Sequence, residues 1–432
     1  MALPVSWKPL VKSNTRAVMT TSVRVTSSGL TMQLCTLRAK TWNRGPKLMK
    51  LPFDHVMLDL SASSPALAYA QSQGRSTRMR VVIAPDSLKG TCTARNAASA
   101  IAEGWRSVRP DDELILIPLA DGGEGTLDAI EASLDAERRT AEVTGPHGRH
   151  VAADWLMLST GEAIIELAQA AGLPLMRPLD PLNATTRGVG ELIRIALNEG
   201  ASSITVALGG SATTDGGTGA LAALGLRLFD DAGLPLPGGG GALRRLAWID
   251  DHDLLSPPTG GVRLLTDVTN PLLGPTGAAA VFGPQKGAGV HQVEELEGGL
   301  NRLAEVVGAE STIEGMGAAG GTAYGLTALL GALIVPGAAE VARLCGLTEA
   351  IQGADVVITA EGRFDATSMG GKVVGHVLSD AMAKTIVIAG SFATDCPTNY
   401  IALESLAGTS EAAQRDTEHW LRAAAAQAAL NR

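Results

Sequence analysis

Short apolar runs alternate along the chain with glycine-containing polar loops and with amphipathic segments. Apolar runs of four to six residues are typical of buried parallel strands, whereas apolar positions three or four apart indicate helices packed on a sheet. Runs at 80–84, 204–208, 262–265 and 385–389 predict such strands, and each ends in a polar loop. This alternation predicts an α/β fold with a Rossmann-like, doubly wound parallel sheet.

Residues 142–167 have a different pattern. Short β-like segments at 142–145, 151–157 and 163–167 lie close together, and Gly145-Pro146-His147-Gly148 forms a turn signal between the first two. Parallel strands need long crossovers, so segments this close together predict antiparallel pairing. We therefore expect a second domain around them.

Residues 1–78 differ in composition from the rest of the chain. They contain eleven Lys and Arg but only two acids, and they are rich in Ser and Thr. This composition is typical of an organelle transit peptide, and equally of a reading frame extended upstream of its true start. We favour the second explanation because a credible start, MRVVIA, begins at Met79. We expect this basic extension to be disordered or not translated, and we exclude it from the fold.

The remainder is acidic, with 24 basic and 42 acidic residues. A net charge of −18 disfavours nucleic-acid binding, and no apolar run reaches the roughly 18–20 residues of a membrane span. Four cysteines without a C-x-x-C pair favour a reducing compartment. We therefore expect a cytoplasmic protein with small-molecule partners.

The most informative stretch is ITVALGGSATTDGGTG at 204–219. A strand, a glycine loop and a helix in succession present backbone N–H groups to an anion, and Gly209 and Gly210 allow close approach to a phosphate. Ser211 adds a hydroxyl donor. Asp215 either holds a metal or a hydroxyl proton, or simply caps the following helix.

Other strand ends carry a similar set of polar residues. Each combines an aspartate with a second polar residue: Asp86 with Lys89, Asp121 with Glu124, Asp267 with Asn270, and Asp365 with Lys372. Carboxylates for Mg²⁺, with lysines and N–H groups for phosphates, are what phosphoryl transfer requires. The standard nucleotide motifs are incomplete: GGKV at 370–373 lacks the first P-loop glycine, and GTGALA at 217–222 lacks the acidic partner of a dinucleotide site. A dehydrogenase is therefore disfavoured.

Seven segments in a fixed order resemble the type-1 glycerate kinase family, of the glycerate 2-kinase kind. They are IAPDSLKG (83–90), LADGGEGT (119–126), TTRGVGELI (185–193), LGGSATTDGG (208–217), DVTNPLLG (267–274), FGPQKGA (282–288) and VITAEGRFD (357–365). The resemblance implies ATP-dependent phosphorylation of D-glycerate, most often at the 2-hydroxyl, with Mg²⁺. It also implies two α/β domains, one inserted in the other, with a cleft between them. We assign residues 79–135 and 295–432 to the Rossmann-like domain and 136–294 to the inserted one.

The matching positions supply the candidate site. We expect Asp215, Asp267, Lys89 and Lys286 to be catalytic, with Asp215 and Asp267 as metal ligands. The lysines suit the glycerate carboxylate or the ATP phosphates. Substrate and phosphate contacts are expected from Asp86, Ser87, Asp121, Gly209, Gly210, Ser211, Asn270, Gln285, Glu361, Asp365 and Lys372.

Some positions depart from the family pattern. Ala360, Thr214 and Thr367 stand where the family usually has Gly, Asn and Gln, and Val374 and His376 lie where it has Pro and Gly. Ala360 adds a methyl group where the backbone could require glycine dihedrals. Two alternatives follow: a kinase for another small hydroxy acid, or a non-catalytic relative that binds nucleotide or acid. We expect a monomer or a homodimer.

Overall fold

The structure is a computed structural model that describes residues 78–432 and the backbone of two short strands nearer the N-terminus. Met1–Ser76 and Thr77–Arg432 form two separate compact units. In the first unit, β1 (Arg24–Thr26) pairs antiparallel with β2 (Gly29–Thr31). The other residues before Arg78 lie outside the described residues, and so does the expectation that this extension is disordered.

The second unit contains thirteen strands among its described residues. In chain order these are β3 (Arg80–Ile83), β4 (Glu113–Leu116), β5 (Ala136–Thr144), β6 (His150–Leu158), β7 (Glu162–Glu166), β8 (Ser203–Ala207), β9 (Arg227–Phe229), β10 (Trp248–Asp250), β11 (Val262–Leu265), β12 (Leu333–Val335), β13 (Val356–Phe364), β14 (Thr385–Phe392) and β15 (Asn399–Ala402).

Helices connect most of these strands. The α-helices are Ala94–Arg106, Thr126–Ser133, Leu167–Ala171, Arg187–Asn198, Thr218–Ala223, Ala278–Phe282, Val290–Val307, Ala318–Leu330, Gly337–Leu344, Leu347–Gln352, Val373–Ala381, Leu403–Ala407, Ser410–Arg415 and Thr417–Leu430. None of the described helices is both long and apolar enough to cross a membrane.

The five-stranded sheet has the order β15-β14-β13-β3-β4, and every neighbouring pair is parallel. The chain starts at β3, passes to β4 on one side, and then crosses to β13 and outward on the other. Such an order places a topological switch point between β3 and β13, which is where doubly wound sheets bind ligands. The predicted Rossmann-like sheet is therefore present.

The six-stranded sheet has the order β12-β11-β8-β7-β6-β5. β5, β6 and β7 pair antiparallel, as the closely spaced β-like segments predict, while β7, β8, β11 and β12 are parallel. Because β12 belongs to this sheet, the sheet extends beyond residue 294. We propose that the inserted domain continues to about Val335.

The two sheets of the second unit share buried contacts. One apolar cluster contains Val82 and Val357 from the five-stranded sheet together with Leu156 and Ile164 from the six-stranded sheet. Close packing of this cluster leaves little freedom for one sheet to move against the other. The loops at the carboxyl ends of the strands are consequently held in defined positions relative to each other.

Two helices end where the backbone leaves the helical region. The helix Ala318–Leu330 stops before β12, because Gly331 adopts a left-handed conformation (φ 64°). The helices Ser410–Arg415 and Thr417–Leu430 are separated at Asp416, whose backbone is not helical (φ −139°, ψ 58°).

Candidate active site

The switch point between β3 and β13 opens into a cavity of about 550 Å³, called here the switch-point cavity. It brings together seven of the residues predicted from the sequence: Asp86, Ser87, Lys89, Asp121, Glu361, Asp365 and Lys372. They come from the loops after β3 and β4, from the end of β13 and from the loop that follows it. Convergence of these loops follows from the parallel arrangement, because the carboxyl ends of neighbouring strands lie at one edge of the sheet.

Asp86 lies at the centre of this edge. Its backbone N–H donates to the carbonyl of Ala360 at 2.8 Å, which holds the loop after β3 against β13. Its carboxylate accepts a hydrogen bond from the Ser87 N–H at 2.6 Å. Burial, with the nearby charge of Asp121, raises the pKa of Asp86 to about 7, although Ser87 and Lys89 act in the opposite direction.

Glu361 is a second buried carboxyl in the cavity wall, with 9% of its surface exposed. Burial raises its pKa to about 7, and the charge of Asp86 adds to this, while Ser368 and Lys372 oppose it. Its Oε1 is buried and has no hydrogen-bond partner in the protein. Buried polar atoms are nearly always satisfied, so this oxygen indicates a place for a ligand or a water molecule.

Asp267 lies beside the cavity, at the N-terminus of the helix Gly337–Leu344. Its two carboxylate oxygens accept hydrogen bonds from the N–H groups of Gly337 at 2.9 Å and Ala338 at 3.1 Å. Burial raises the pKa of Asp267 to about 6; the charge of Asp121 also raises it, and Lys372 lowers it. Asp267, Asp121 and Lys372 are therefore electrostatic neighbours.

The glycine loops after β4 and β8 touch each other. The N–H of Gly209 donates to the Gly122 carbonyl at 3.0 Å, and a side chain added at Gly209 would lie 2.4 Å from the Cα of Gly123. Glycine is needed here because of close backbone approach. The predicted phosphate loop thus abuts the loop that carries Asp121, although Gly209 and Gly210 do not line the switch-point cavity.

Asp215 is placed differently from the expectation. It has no exposed surface, and its carboxylate accepts hydrogen bonds from Thr186 N–H, Thr186 Oγ1, Gly217 N–H and Gly219 N–H at 2.8–3.2 Å. Burial raises its pKa, and the Thr186 and glycine hydrogen bonds oppose this. Four protein donors already occupy its oxygens, so Asp215 holds the starts of two helices instead of facing the cavity.

Lys286 is also beneath the glycine loop instead of in the cavity. It is 2% exposed, and its Nζ donates to Ser211 Oγ at 3.0 Å and to the Thr213 carbonyl at 2.5 Å. Burial lowers its pKa to about 7, against the opposing effect of Asp215. Lys286 and Ser211 therefore brace the loop from below, and Lys286 does not line the switch-point cavity.

Two other predicted residues lie away from the switch-point cavity. Asn270 donates from Nδ2 to the Thr276 carbonyl at 2.8 Å and closes its own loop. Gln285 is exposed in the short 3₁₀ turn Pro284–Lys286. Neither residue lines the cavity.

The carboxylates present fit Mg²⁺ held partly by a phosphate. Among residues 78–432, no three His, Cys, Asp or Glu side chains are grouped to chelate an ion by themselves. Mg²⁺, however, is usually bound by one or two carboxylates and completes its shell with water and phosphate oxygens. Asp121 and Asp267 provide such a pair at the cavity edge, whereas the expected pairing of Asp215 with Asp267 is not available because Asp215 is enclosed.

Sequence reasoning missed part of the cavity wall. Arg363 and Ser391 come from the ends of β13 and β14, and Gln414 and Thr417 come from the C-terminal helices. The two strand-end residues follow the same rule that identified the others. Nothing in the sequence of the C-terminal helices indicates that they cover a site.

A second cavity of about 590 Å³, called here the seam cavity, lies on the other side of the loop 87–91. It shares Ser87, Lys89, Gly90 and Thr91 with the switch-point cavity. Its far wall includes Glu166, at the carboxyl end of β7 in the six-stranded sheet, and Gln169 in the following helix. Of the polar strand-end residues noted in the sequence, the seam cavity contains Glu124 in addition to Lys89.

The departures from the family pattern cause no visible strain. Ala360 lies inside β13 and is fully buried, and the one described non-glycine residue with positive φ is Ala319. The concern that Ala360 needs glycine dihedrals is therefore not supported. Val374 packs in an apolar cluster with Phe364 and Leu378.

Known proteins resemble this chain over most of the residues that form the second unit. The model of the glycerate kinase family matches residues 81–431. The glycerate 2-kinase of Escherichia coli K12 is 43% identical over 330 residues, which cover 73% of this chain and 86% of the relative. The glycerate kinase of Halalkalibacterium halodurans is 42% identical over 324 residues, which cover 72% of this chain and 85% of the relative. A glycerate kinase 2 crystal structure from Salmonella typhimurium LT2 superposes with a TM-score of 0.71 at 38% identity, covering 82% of this chain and 98% of that one. The chain belongs to the glycerate kinase family.

Proposed function

We propose that this protein transfers the γ-phosphoryl group of ATP to the 2-hydroxyl of D-glycerate, with Mg²⁺. The observation that carries the proposal is the switch-point cavity, where Lys89, Arg363 and Lys372 meet the carboxyl groups of Asp86 and Glu361. Phosphoryl transfer depends mainly on positioning and charge neutralisation, and this cavity offers both. The choice of the 2-hydroxyl follows the name of the E. coli relative.

The residues of the cavity divide the chemistry between them. The three cations attract the glycerate carboxylate and the phosphate chain. The glycerate hydroxyl oxygen bonds to the γ-phosphorus, the bond from that phosphorus to the ADP oxygen breaks, and the hydroxyl proton passes to a carboxyl group of the cavity. Asp86 and Glu361 are suited to accept it, because their pKa values of about 7 lie near the working pH. Mg²⁺, held by Asp121 and Asp267, would neutralise phosphate charge.

The test is ADP release coupled to NADH oxidation, with D-glycerate and Mg-ATP. We expect turnover that depends on both substrates, and phosphorus NMR should identify 2-phosphoglycerate as the product. Tartronate and related hydroxy acids serve as comparison substrates. A folded sample without turnover on D-glycerate would refute the proposal, and a 3-phosphate product would refute its regiochemistry.

Location and assembly remain predictions from the sequence. We propose a cytoplasmic monomer or homodimer. Light scattering after size-exclusion chromatography measures the mass, and a trimer or larger assembly would contradict the expectation.

A further inference from the structure

The seam cavity has walls from both sheets of the second unit. The helix Ala94–Arg106 and the loop after β4 form one side, and the segment that follows β7 forms the other. It is about as large as the switch-point cavity, and the two cavities share residues of the loop 87–91 as a common wall. Glycerate, a three-carbon acid, does not need two cavities of this size. The second cavity therefore has room for a larger part of the substrates.

The charges of the two cavities differ. Among the described residues, the switch-point cavity has three cationic side chains, Lys89, Arg363 and Lys372, beside four carboxyl groups, whereas the seam cavity has Lys89 as its one cation. The seam cavity also carries three carboxyl groups: Glu124, Asp128 and Glu166. An anion is repelled by such a wall, while a neutral group with hydroxyl and amino donors can hydrogen-bond to it.

The wall of the seam cavity also contains groups suited to a neutral heterocycle. Leu119, Ala94 and Ala168 provide apolar surface, and Gln169 provides an amide that can both donate and accept. Glu166 is 2% exposed and is held by the Leu127 N–H at 3.3 Å and by Gln169, so this wall is pre-formed. Apolar surface with a few fixed polar groups is typical of a small-molecule site.

We propose that the seam cavity binds the nucleoside end of ATP, and that the triphosphate crosses the loop 87–91 into the switch-point cavity, where glycerate binds. This inference rests on the proposed kinase function. The ribose hydroxyls and the adenine amino group face the carboxyl and amide groups of the seam cavity. Ser87 and Lys89, which line both cavities, meet the phosphates at the crossing.

The test uses the full chain and two variants of the seam wall. Ala168→Leu fills the cavity, and Gln169→Ala removes its amide. We expect the KM for ATP to rise about tenfold in Ala168→Leu and about fivefold in Gln169→Ala, with the KM for glycerate within about twofold of the parent in both. The matched controls are Ala232→Leu and Gln352→Ala, at exposed positions outside both cavities, which should leave both KM values unchanged.

Binding provides a readout that is independent of turnover. Calorimetry with ADP should detect binding to the parent protein and weaker binding to both seam variants. If the KM for glycerate rises while that for ATP is unchanged, glycerate occupies the seam cavity and the inference is wrong; unchanged values for both substrates also overturn it. If the parent does not phosphorylate glycerate, the proposed function fails, and the ADP titrations still decide where the nucleotide binds. Should Ala168→Leu not fold, Gln169→Ala decides the question.

Discussion

Asp215 and Lys286 are charged residues of the glycine loop region that serve its folding. Asp215 is part of the loop 208–217 and Lys286 lies beneath it; both are buried, and their hydrogen bonds involve Thr186, Ser211 and backbone groups. Burying a charge is costly unless it is well hydrogen-bonded, and the donors and acceptors around these two side chains meet that need. We infer that they position the loop, while Lys89 and Lys372 contact the substrates.

Asp215→Asn should therefore destabilise the protein. In asparagine, an NH₂ group replaces one carboxylate oxygen and cannot accept a hydrogen bond from the N–H groups of Thr186, Gly217 or Gly219. A buried N–H group left without its acceptor costs about 1–3 kcal/mol. Urea unfolding measures the loss. Asp231→Asn, in an exposed turn, is the control and should change stability by less than about 0.5 kcal/mol. Unchanged stability of Asp215→Asn combined with lost turnover would favour a direct catalytic role instead.

Lys286 predicts a specific pH dependence of stability. Its folded pKa of about 7 lies below the ordinary lysine value of 10.5, so between these values the unfolded chain binds more protons. The free energy of unfolding therefore gains a contribution that is complete above about pH 10.5 and is lost as the pH falls through 7. Lys286→Met should remove this contribution. Unfolding of parent and variant, compared from pH 6 to 10, checks it; parallel curves would contradict it.

At the scale of elements, the site depends on two loops from different sheets. The loop after β4 belongs to the five-stranded sheet and the loop after β8 to the six-stranded sheet, and they touch at Gly123 and Gly209. The first loop carries Asp121 into the switch-point cavity and Glu124 into the seam cavity. A displacement at the contact would thus move groups of both cavities.

Gly209→Ala tests this contact. The new methyl group would lie 2.4 Å from the Cα of Gly123, so the loops must separate. We expect a loss of about 1–3 kcal/mol in stability, together with at least a tenfold loss in kcat/KM, since small misplacements at a site cost about this much or more. Gly238→Ala is the matched control, because its nearest neighbour atom would be at 3.6 Å. Equal behaviour of the two variants would show that the contact is unimportant.

At the scale of the whole molecule, the kinase fold is contained in the unit Thr77–Arg432. The family match begins at residue 81, and the cavity residues all come after Met79. The Met79 N–H donates to Asp112 Oδ1 at 3.0 Å, so a charged amino terminus at this residue would meet a carboxylate. Among residues 78–432, the lining of the two cavities begins at Asp86 and Ser87.

A chain that starts at Met79 should therefore fold and keep the kcat/KM of the full chain within about twofold. Coupled ADP-release kinetics on both chains measure this, with thermal unfolding as the check on folding. A large loss of turnover in a folded shortened chain would show that residues 1–78 contribute to activity.

Local patterns in the sequence were sufficient for most of the strands, the parallel sheet and the polar strand ends. Apolar runs identify β3, β8, β11 and β14, since burial on both faces of a parallel sheet requires them. The rule that ligands lie beyond the carboxyl ends of strands then identifies Asp86, Asp121 and Asp365, which all line the switch-point cavity, whereas Glu361 was expected from the family resemblance. β9, β10 and β12 have three residues each, too few for such a pattern, and β15 begins with the exposed Asn399 and Tyr400 and so has no buried apolar run.

Only the tertiary structure decided which of these polar residues face a cavity. Asp86 and Asp215 both follow a buried strand and precede a helix, yet Asp86 lines the cavity and Asp215 is enclosed by two helix starts. Seam residues such as Glu166 become neighbours of Lys89 because two sheets pack together. Side-chain burial depends on contacts between segments far apart in the chain, and a single sequence read locally does not contain those contacts.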